Sequence, residues 1–451
     1  MSISAIETQE TQWKQGTKIA FRFVFIYFFI QSIPIFDWRY YHLVFSVNWL
    51  SLRYEDIFNL AHYQSQFFTG SQSFANWLIV AIIALLGAGI WTNFDKDKTR
   101  NYDKLYYWLR VIVRYRLAIG IIAYGFIKFF PLQSPYPSIS NLNTNYGDFT
   151  RWKLFSLSLG VVPHYELFLG LVEIIAGLLL FYRKTASVGA LIVIFFTGNV
   201  FMSNLGYEGG EYVYSFYLIV LALFTLAYDA QRLANLFIWQ RPANPNRFKI
   251  AFTGKEKYIR WALKGLVIFF FVVLYAFKTG YGYKHDPYQI PLSKGLPGTS
   301  GIYDVSLFII NHDTIPYSQT DSARWQDVVF EKWATLSIRT NTPVIIDSAN
   351  VEKAGIKDDI ERTYESAGTN ERSYYAYKAD TANHVLTLLN KNPHYKNDSL
   401  VLNYQRSGSS QIILSGMNEH RDSIYVVLDK IDKKYLIKEA AKRGRFNASE
   451  L

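Results

Sequence analysis

Seven stretches of this chain are long and apolar enough to be read as membrane-crossing helices, and no other feature narrows the fold as much. A spanning helix needs about 20 mostly apolar residues, with a range of roughly 17–25. The stretches are 19–36, 75–91, 108–130, 160–182, 186–205, 212–228 and 259–278. The first is the weakest, because it carries Arg22 and Pro34. Between the first two, the aromatic-rich run from Tyr40 to Phe68 is broken by Asn48, Arg53, Glu55 and Asp56. It reads as an interfacial or re-entrant element rather than a further span. The opening MSISAIETQETQWKQGTK contains Glu7 and Glu10, and no small-residue cleavage site follows its apolar run. That predicts an uncleaved first anchor rather than a signal peptide.

Basic residues orient the spans, because Lys and Arg concentrate in cytoplasmic loops. Lys96, Lys98, Arg100 and Lys104 follow the second span, Arg183 and Lys184 the fourth. Arg232, Arg241, Arg247, Lys249, Lys255 and Lys257 follow the sixth. The alternate loops are nearly bare: Arg39 and Arg53 in 37–74, Arg151 and Lys153 in 131–159, and none in 206–211. The alternation predicts a multi-pass inner-membrane protein with a cytoplasmic N-terminus and a periplasmic C-terminal domain. Arg110, Arg114 and Arg116, at the inner end of the third span, read as orientation charges of the same kind.

Past Lys278 the pattern changes. From Tyr281 onward there are 21 basic and 21 acidic residues, so the formal charge of +11 belongs wholly to residues 1–280. The Pro- and Gly-bearing segment KHDPYQIPLSKGLPGTSG reads as a linker. Short runs follow, among them IYDVSLFII, HVLTLLN, SLVLNYQ and SIYVVLDKI, in which apolar and polar residues alternate. Such runs are half-buried antiparallel strands, and their spacing suggests a meander, sandwich or small barrel. The charged stretch 350–372 reads as a loop with some helix. The expected organisation is an N-terminal membrane region over 1–107, a helical core over 108–235, and a cytoplasmic loop with the last span over 236–280. A linker over 281–300, a β-rich domain over 301–440 and a basic tail over 441–451 complete it.

There is no cysteine, which excludes disulfides, thiol redox chemistry and thiolate metal sites. The eight histidines show no metal-ligand spacing, and no phosphate-binding or dinucleotide-binding glycine motif is present. No metal is expected, no cofactor is evident beyond a quinone from the lipid phase, and the basic charge points to the bilayer rather than to nucleic acid.

One acid stands inside an apolar span. In LFLGLVEIIAGLLLFY, Glu173 lies near the middle. A carboxylate at the bilayer centre costs roughly 2.5–3.5 kcal/mol on insertion scales, so it should face protein, pair or protonate. Glu166, Gly170, Glu173 and Gly177 recur at helical spacing on one stripe, and glycines on a stripe admit a neighbouring helix. Candidate partners are Tyr124 and Lys128 on one face of the third span, Gln133 after it, and Asn199 and Asn204 in the fifth. Asp148, His164, Tyr207, Glu208 and Glu211 stand in the outer loops. Together they describe a polar pocket floored by Glu173. Simpler readings stay open: Lys128 as a lysine snorkelling to the interface, the asparagines as interhelical glue, Glu173 as part of a structural pair.

The same residues carry a resemblance. Residues 115–235 look like the DoxX family of small four-helix membrane proteins, and the whole chain resembles its longer members with a β-rich C-terminal domain. The likeness runs through RYRLAIGIIAYGFIKFFPLQ, Gly147-Asp148, HYELFLGLVEIIAGLLLFYRKTASVGAL, NVFMSNLGY and DAQRL. In the tail it covers GIYDVSLFIINHDTIP, RWQDVVFE and DSLVLNY. Tyr124, Lys128, Gln133, Asp148, Tyr165, Glu173, Arg183, Asn199, Asn204 and Tyr207 match the family pattern. Glu208-Gly209-Gly210 replaces an expected Asp-Val-Pro, and DFTRWKLFSLSLG lacks an expected Pro-Met-Gly-Leu segment. The resemblance implies a redox-associated membrane subunit that passes electrons to quinone. Two other functions fit the sequence: a non-enzymatic anchor whose β domain docks an envelope partner protein, and a transporter of a small ion or metabolite.

Overall fold

The computed structural model describes residues 13–35, 37–67, 73–95, 100–243, 250, 252, 254–288, 290–348, 358–395, 397–418 and 420–443. Lys96, Lys98, Arg247, Lys249, residues 350–357 of the charged stretch and residues 444–451 of the tail lie outside them. The chain divides into two compact units. One is Met1–Phe130 with Leu167–Gly282, the other Pro131–Glu166 with Tyr283–Leu451.

The helices in chain order are α1 (Gln15–Ser32), α2 (Trp38–Ser46), α3 (Tyr54–Ala61), α4 (Ala75–Phe94) and α5 (Asp103–Phe129). After α6 (Ile139–Leu142) and α7 (Arg151–Gly160) come α8 (Pro163–Leu180), α9 (Ala186–Gly206), α10 (Tyr212–Ala227) and α11 (Ala230–Phe237). The helices α12 (Lys255–Ile268) and α13 (Tyr275–His285) are joined by a π-helical segment, Phe269–Leu274. Among the described residues, α4, α8, α9 and the continuous Lys255–His285 are long and apolar enough to cross a membrane. The count becomes five if α10 and α11, bent by 76° from each other, form one span.

The segments expected at 19–36 and 108–130 are helical, as α1 and α5, but their charges keep them below that apolar standard. The charges are answered inside the helical unit. Arg22 is buried and donates to Thr92 Oγ1 at 2.7 Å, Asp95 Oδ2 at 3.1 Å and Tyr102 OH at 2.8 Å. The Tyr102 hydroxyl donates in turn to Asp95 at 2.6 Å. A buried guanidinium with this many acceptors loses little on leaving water. The Arg110 guanidinium lies over the Tyr228 ring, 3.3 Å from its centroid. Arg116 is not an orientation charge at a loop; it is buried and spends its donors on backbone carbonyls described below.

The other unit contains a closed barrel. Its strands are β1 (Gly301–Ile310), β2 (Asp313–Thr314), β3 (Asp327–Phe330), β4 (Thr335–Arg339) and β5 (Arg372–Asp380), then β6 (Val385–Asn390), β7 (Ser399–Ser407), β8 (Gln411–Met417) and β9 (Ser423–Lys430). Each neighbour pairs antiparallel, β9 returns to pair with β1, and the short β2 extends from β1 outside the ring. Of the three architectures open from sequence, the barrel is the one formed. Eight strands leave an interior that side chains fill, here with Phe308, Phe330, Leu336, Leu388, Leu402 and Leu428. Pairing shifts by one residue in β1 between Val305 and Leu307, a bulge that bends the strand. The Val305 carbonyl accepts from Arg324 Nη2 at 2.7 Å.

Residues 131–159, read from sequence as an outer loop, fold as part of this barrel unit. Glu331, at the end of β3, is buried and takes three donors from the start of α6. They are Ser140 N–H and Ser140 OH, both at 2.7 Å, and Ile139 N–H at 3.1 Å. Asn141 donates its amide to the Glu365 carbonyl at 3.0 Å, and the Tyr364 hydroxyl donates to the Pro135 carbonyl at 2.6 Å. Lys153 of α7 reaches the Tyr364 carbonyl. The loop 359–372 that receives these contacts holds a cluster of buried charge. Glu365 accepts from Arg362, from Trp333 Nε1 at 2.6 Å and from Lys391 Nζ at 3.2 Å.

Burial and the nearby Arg362 cation bring the Lys153 ammonium down to about 7. The unfolded chain keeps that proton to about 10.4, so between these values the unfolded state binds more protons than the folded one. Stability of the barrel unit therefore rises with pH above 7, by up to about 1.4 kcal/mol per pH unit for such a lysine. Below pH 7 the full penalty stands. Thermal unfolding of the full chain, followed by tryptophan fluorescence from pH 7 to 9, should show a rising midpoint. Burial brings Lys391 down to about 7 as well, so Lys153→Met should remove about half of that rise; an unchanged slope would rule out Lys153 as a source.

Candidate functional site

In the helical unit, α5 and α8 lie against each other because their contact residues have no side chains. A Cβ on Gly170 would run into the backbone of Phe129 and Gly125, and one on Gly125 would lie 2.8 Å from Ile174 Cγ1. Gly177 is held in the same way against Ile122. The stripe legible in the sequence thus does what its spacing predicts. It brings the two backbones together, as small residues do between helices in lipid, and this sets Lys128 opposite Glu173.

Lys128 Nζ donates to Glu173 Oε1 at 2.5 Å, with both side chains buried. The second carboxylate oxygen, Oε2, is fully buried and finds no hydrogen-bond donor among the described residues. Both oxygens of an ionised carboxylate accept hydrogen bonds, and with one of the two engaged Glu173 is left half satisfied. The Lys128 ammonium also lies 5.7 Å from the Tyr124 ring centroid and 5.9 Å from that of Phe196. The pair therefore has aromatic walls, which favour the cation.

One turn before Lys128, the Tyr124 hydroxyl donates to Glu211 Oε2 at 3.0 Å. His62 Nε2 meets the same oxygen at 3.3 Å. Asn204 accepts from the Glu211 backbone N–H at 3.1 Å and donates to the Val200 carbonyl at 2.9 Å. The His62 ring packs on Tyr214, 3.9 Å between centroids, and Tyr214 packs on Tyr124 at 5.7 Å. Two turns further back on α5, Arg116 donates to the Ala61 carbonyl, to the Tyr63 carbonyl at 3.0 Å and to the Tyr214 hydroxyl at 3.4 Å. A continuous polar and aromatic seam thus runs from Arg116 through Tyr214, His62, Glu211 and Tyr124 to the Lys128–Glu173 pair.

Of the residues nominated from sequence, Glu173, Lys128 and Tyr124 come together, and Asn204 joins them by fixing Glu211. Asn199 lines a groove of about 530 Å³ along α9, with Val188, Leu191, Ile192, Phe195 and Phe196. Tyr207 is partly exposed at the end of α9, where its backbone N–H closes the helix on Ser203. Gln133 and Asp148 are not in the helical unit. The chain leaves the helical unit at Pro131, so both fall in the barrel unit. There Gln133 is exposed, and the Asp148 carbonyl accepts from Asn370 at 3.3 Å. Glu166, on the same stripe as Glu173, also belongs there and accepts from the Ser134 N–H at 3.3 Å. Sequence reasoning passed over His62, Tyr214 and the interior role of Arg116. The available signal was an arginine three turns before Lys128 on the same helix. Among the described residues no three His, Asp or Glu side chains converge as a metal-ligand set.

The arrangement is an overall neutral ion pair in a water-poor interior, where electrostatic interactions are strong. Its free acceptor suits it to hold a ligand that donates a hydrogen bond. No family model, curated protein or solved structure matches this chain.

Proposed function

We propose that this protein is an inner-membrane protein of the DoxX type, whose helical unit binds a lipid-soluble, quinone-like ligand at Glu173 as the membrane subunit of a redox-associated complex. The observation that carries this reading is the half-satisfied Glu173. A pair kept only for packing would be expected to satisfy both oxygens, since each buried unpaired acceptor costs about 1–3 kcal/mol. In this reading Lys128 holds the carboxylate and offers its remaining N–H donors to the ligand. Tyr124 closes the wall between the pair and Glu211. Asn199 orients the ligand from α9, while Asn204, with both ends of its amide engaged, positions Glu211 instead.

The proposed topology has seven spans, a cytoplasmic N-terminus and the barrel in the periplasm. Support comes from parity. Residues 131–166 and 283–443 fold into one unit and so share one side of the membrane, which requires an even number of crossings between them. The segments in that interval are α8, α9, the bent α10–α11 pair and α12–α13, an even set only if the bent pair crosses. With α1, α4 and α5 before them, the total is seven.

A second reading, in which the helices anchor a barrel that docks a partner protein, is favoured by one feature. Val401 and Met417 face each other in register on adjacent strands and are both more than half exposed. One experiment separates the two. Native mass spectrometry of the gently solubilised full chain should find a lipid-soluble small molecule in wild type and lose it in Glu173→Gln at equal yield. A protein partner retained in both, with no small molecule in either, would replace the first reading by the second.

A further inference from the structure

At the end of the helical unit where α5 begins and α8 finishes, positive charge gathers with no acid to answer it. Arg114 of α5 stands within electrostatic reach of Arg110 and of Arg183, in the turn after α8. Lys264 of α12 stands within reach of Arg114 and Arg260. Aromatic contacts tie the three elements together. The Lys264 ammonium lies 5.9 Å from the Tyr182 ring centroid, and the Phe252 ring lies 6.0 Å from Trp108 of α5 and 4.9 Å from the Arg260 guanidinium. Among the described residues none of these five cations is hydrogen-bonded or ion-paired to a carboxylate. Asp229, which acts on Tyr106 together with Arg110, is engaged by Ser187 at 2.5 Å and by Arg232 at 3.8 Å. The Nε atoms of Arg110 and Arg114 are enclosed and without a partner among the described residues, but their Nη donors are neither enclosed nor hydrogen-bonded. Arg183 and Arg260 are exposed and Lys264 is half-buried, so the cluster is open from outside.

We infer that this cluster binds the head group of an anionic phospholipid, with Arg114 and Lys264 donating to its phosphate oxygens and Arg183 and Arg260 adding charge around it. This rests on the reading of α5, α8 and α12 as crossing a membrane. The ligand is an anion, because five like charges within reach of one another repel unless one sits among them. It carries phosphate, whose oxygens the arginine fork matches in pairs. It is a lipid, because of where the cluster lies. Lys264 is the last charge before the apolar run 265–277, and Arg183 directly follows the stretch LFLGLVEIIAGLLLFY. Trp108, Tyr182 and Trp261 beside them are exposed, as aromatic side chains are at the level of the head groups. A head with two phosphates offsets more of the charge than a head with one, and the choline of a neutral lipid would add a further cation. The preferred lipid is therefore diphosphatidylglycerol, then phosphatidylglycerol, then phosphatidylcholine.

The test titrates these three lipids in turn into the full chain in detergent and counts bound lipid by native mass spectrometry. Affinity should fall in that order. Arg114→Gln with Lys264→Gln should weaken diphosphatidylglycerol by about thirtyfold, about fivefold per cation removed, and leave phosphatidylcholine unchanged. Should that pair fail to fold, the exposed Arg183→Gln with Arg260→Gln carries the same expectation. Arg114→Lys with Lys264→Arg keeps both charges and should retain most of the binding. Lys255→Gln with Lys257→Gln removes two exposed charges at the start of α12 and should cost little. Equal losses in that pair and in the cluster pair would reveal diffuse attraction to a basic surface and overturn the site. Equal binding of the three lipids would do the same. Displacement of the bound lipid by an equal concentration of inorganic phosphate would make the occupant a soluble anion and overturn the lipid. A chain that takes up no lipid of any kind defeats the membrane reading itself, a result distinct from binding all three alike.

Discussion

Lys128→Met should destabilise the helical unit by about 3–5 kcal/mol, the range found when one partner of a buried ion pair is removed. The cost arises because Glu173 is then left with neither oxygen satisfied in a medium that cannot solvate it. The double variant Lys128→Met with Glu173→Leu should recover most of that loss, since apolar residues of similar volume replace a buried pair at little net cost. Unfolding midpoints in detergent for the two single variants and the double variant complete the cycle. The same double variant should carry no co-purifying ligand. A stable, ligand-free double variant means that the pair is kept for binding. If it remains as unstable as the single variants, the pair is needed for packing between α5 and α8, and the ligand reading loses its main support.

Glu365→Ala should be comparably severe in the barrel unit. Glu365 is fully buried and answers Arg362, Lys391 and the Trp333 indole at once. Its removal leaves two cations and a donor without their acceptor, and about 3–5 kcal/mol is again the expected loss. Glu365→Gln keeps an acceptor of the same shape and should cost clearly less. The readout is limited proteolysis of the full chain, with cleavage inside 301–430 reporting an opened barrel. Equal protection of Glu365→Ala and wild type would show that water or a rearranged partner takes over from the carboxylate.

The parts of this fold that were legible in the sequence are those set by local pattern. The apolar runs of α4, α8 and α9 show in their length, and alternation marks β7, whose residues are buried and exposed in turn. The glycine stripe of α8 announced a close helix contact, and Glu173 announced a partner. What stayed hidden depends on contacts between residues far apart in the chain. Arg22 weakens α1 as a predicted span because its acceptors, Thr92, Asp95 and Tyr102, lie some 70–80 residues away. His62 and Glu211 are separated by 149 positions, and nothing local marks either as the other's partner. Ring closure between β1 and β9 likewise joins the two ends of the β domain, which no alternation encodes. Residues 131–159 deceived for a different reason. Their polar composition suits a solvent-exposed loop equally well, and acceptors far along the chain, among them Glu331, Tyr364 and Glu365, show where their donors go.

That last arrangement has a consequence for how the protein is made. The barrel unit is assembled from two lengths of chain with the whole of 167–282 between them. At about 5–20 residues per second of synthesis, β9 emerges roughly 15–50 s after α7. For roughly 10–40 s of that interval Ser140 and Lys153 wait on Glu331 and Tyr364, not yet translated, and the helices α8 to α13 are made while their neighbouring segment is still unfinished. The chain therefore passes through a stage in which its first half is incomplete until its last strand arrives. A ribosome that stalls late leaves behind a helical unit interrupted by residues 131–166, a segment whose own partners were never made.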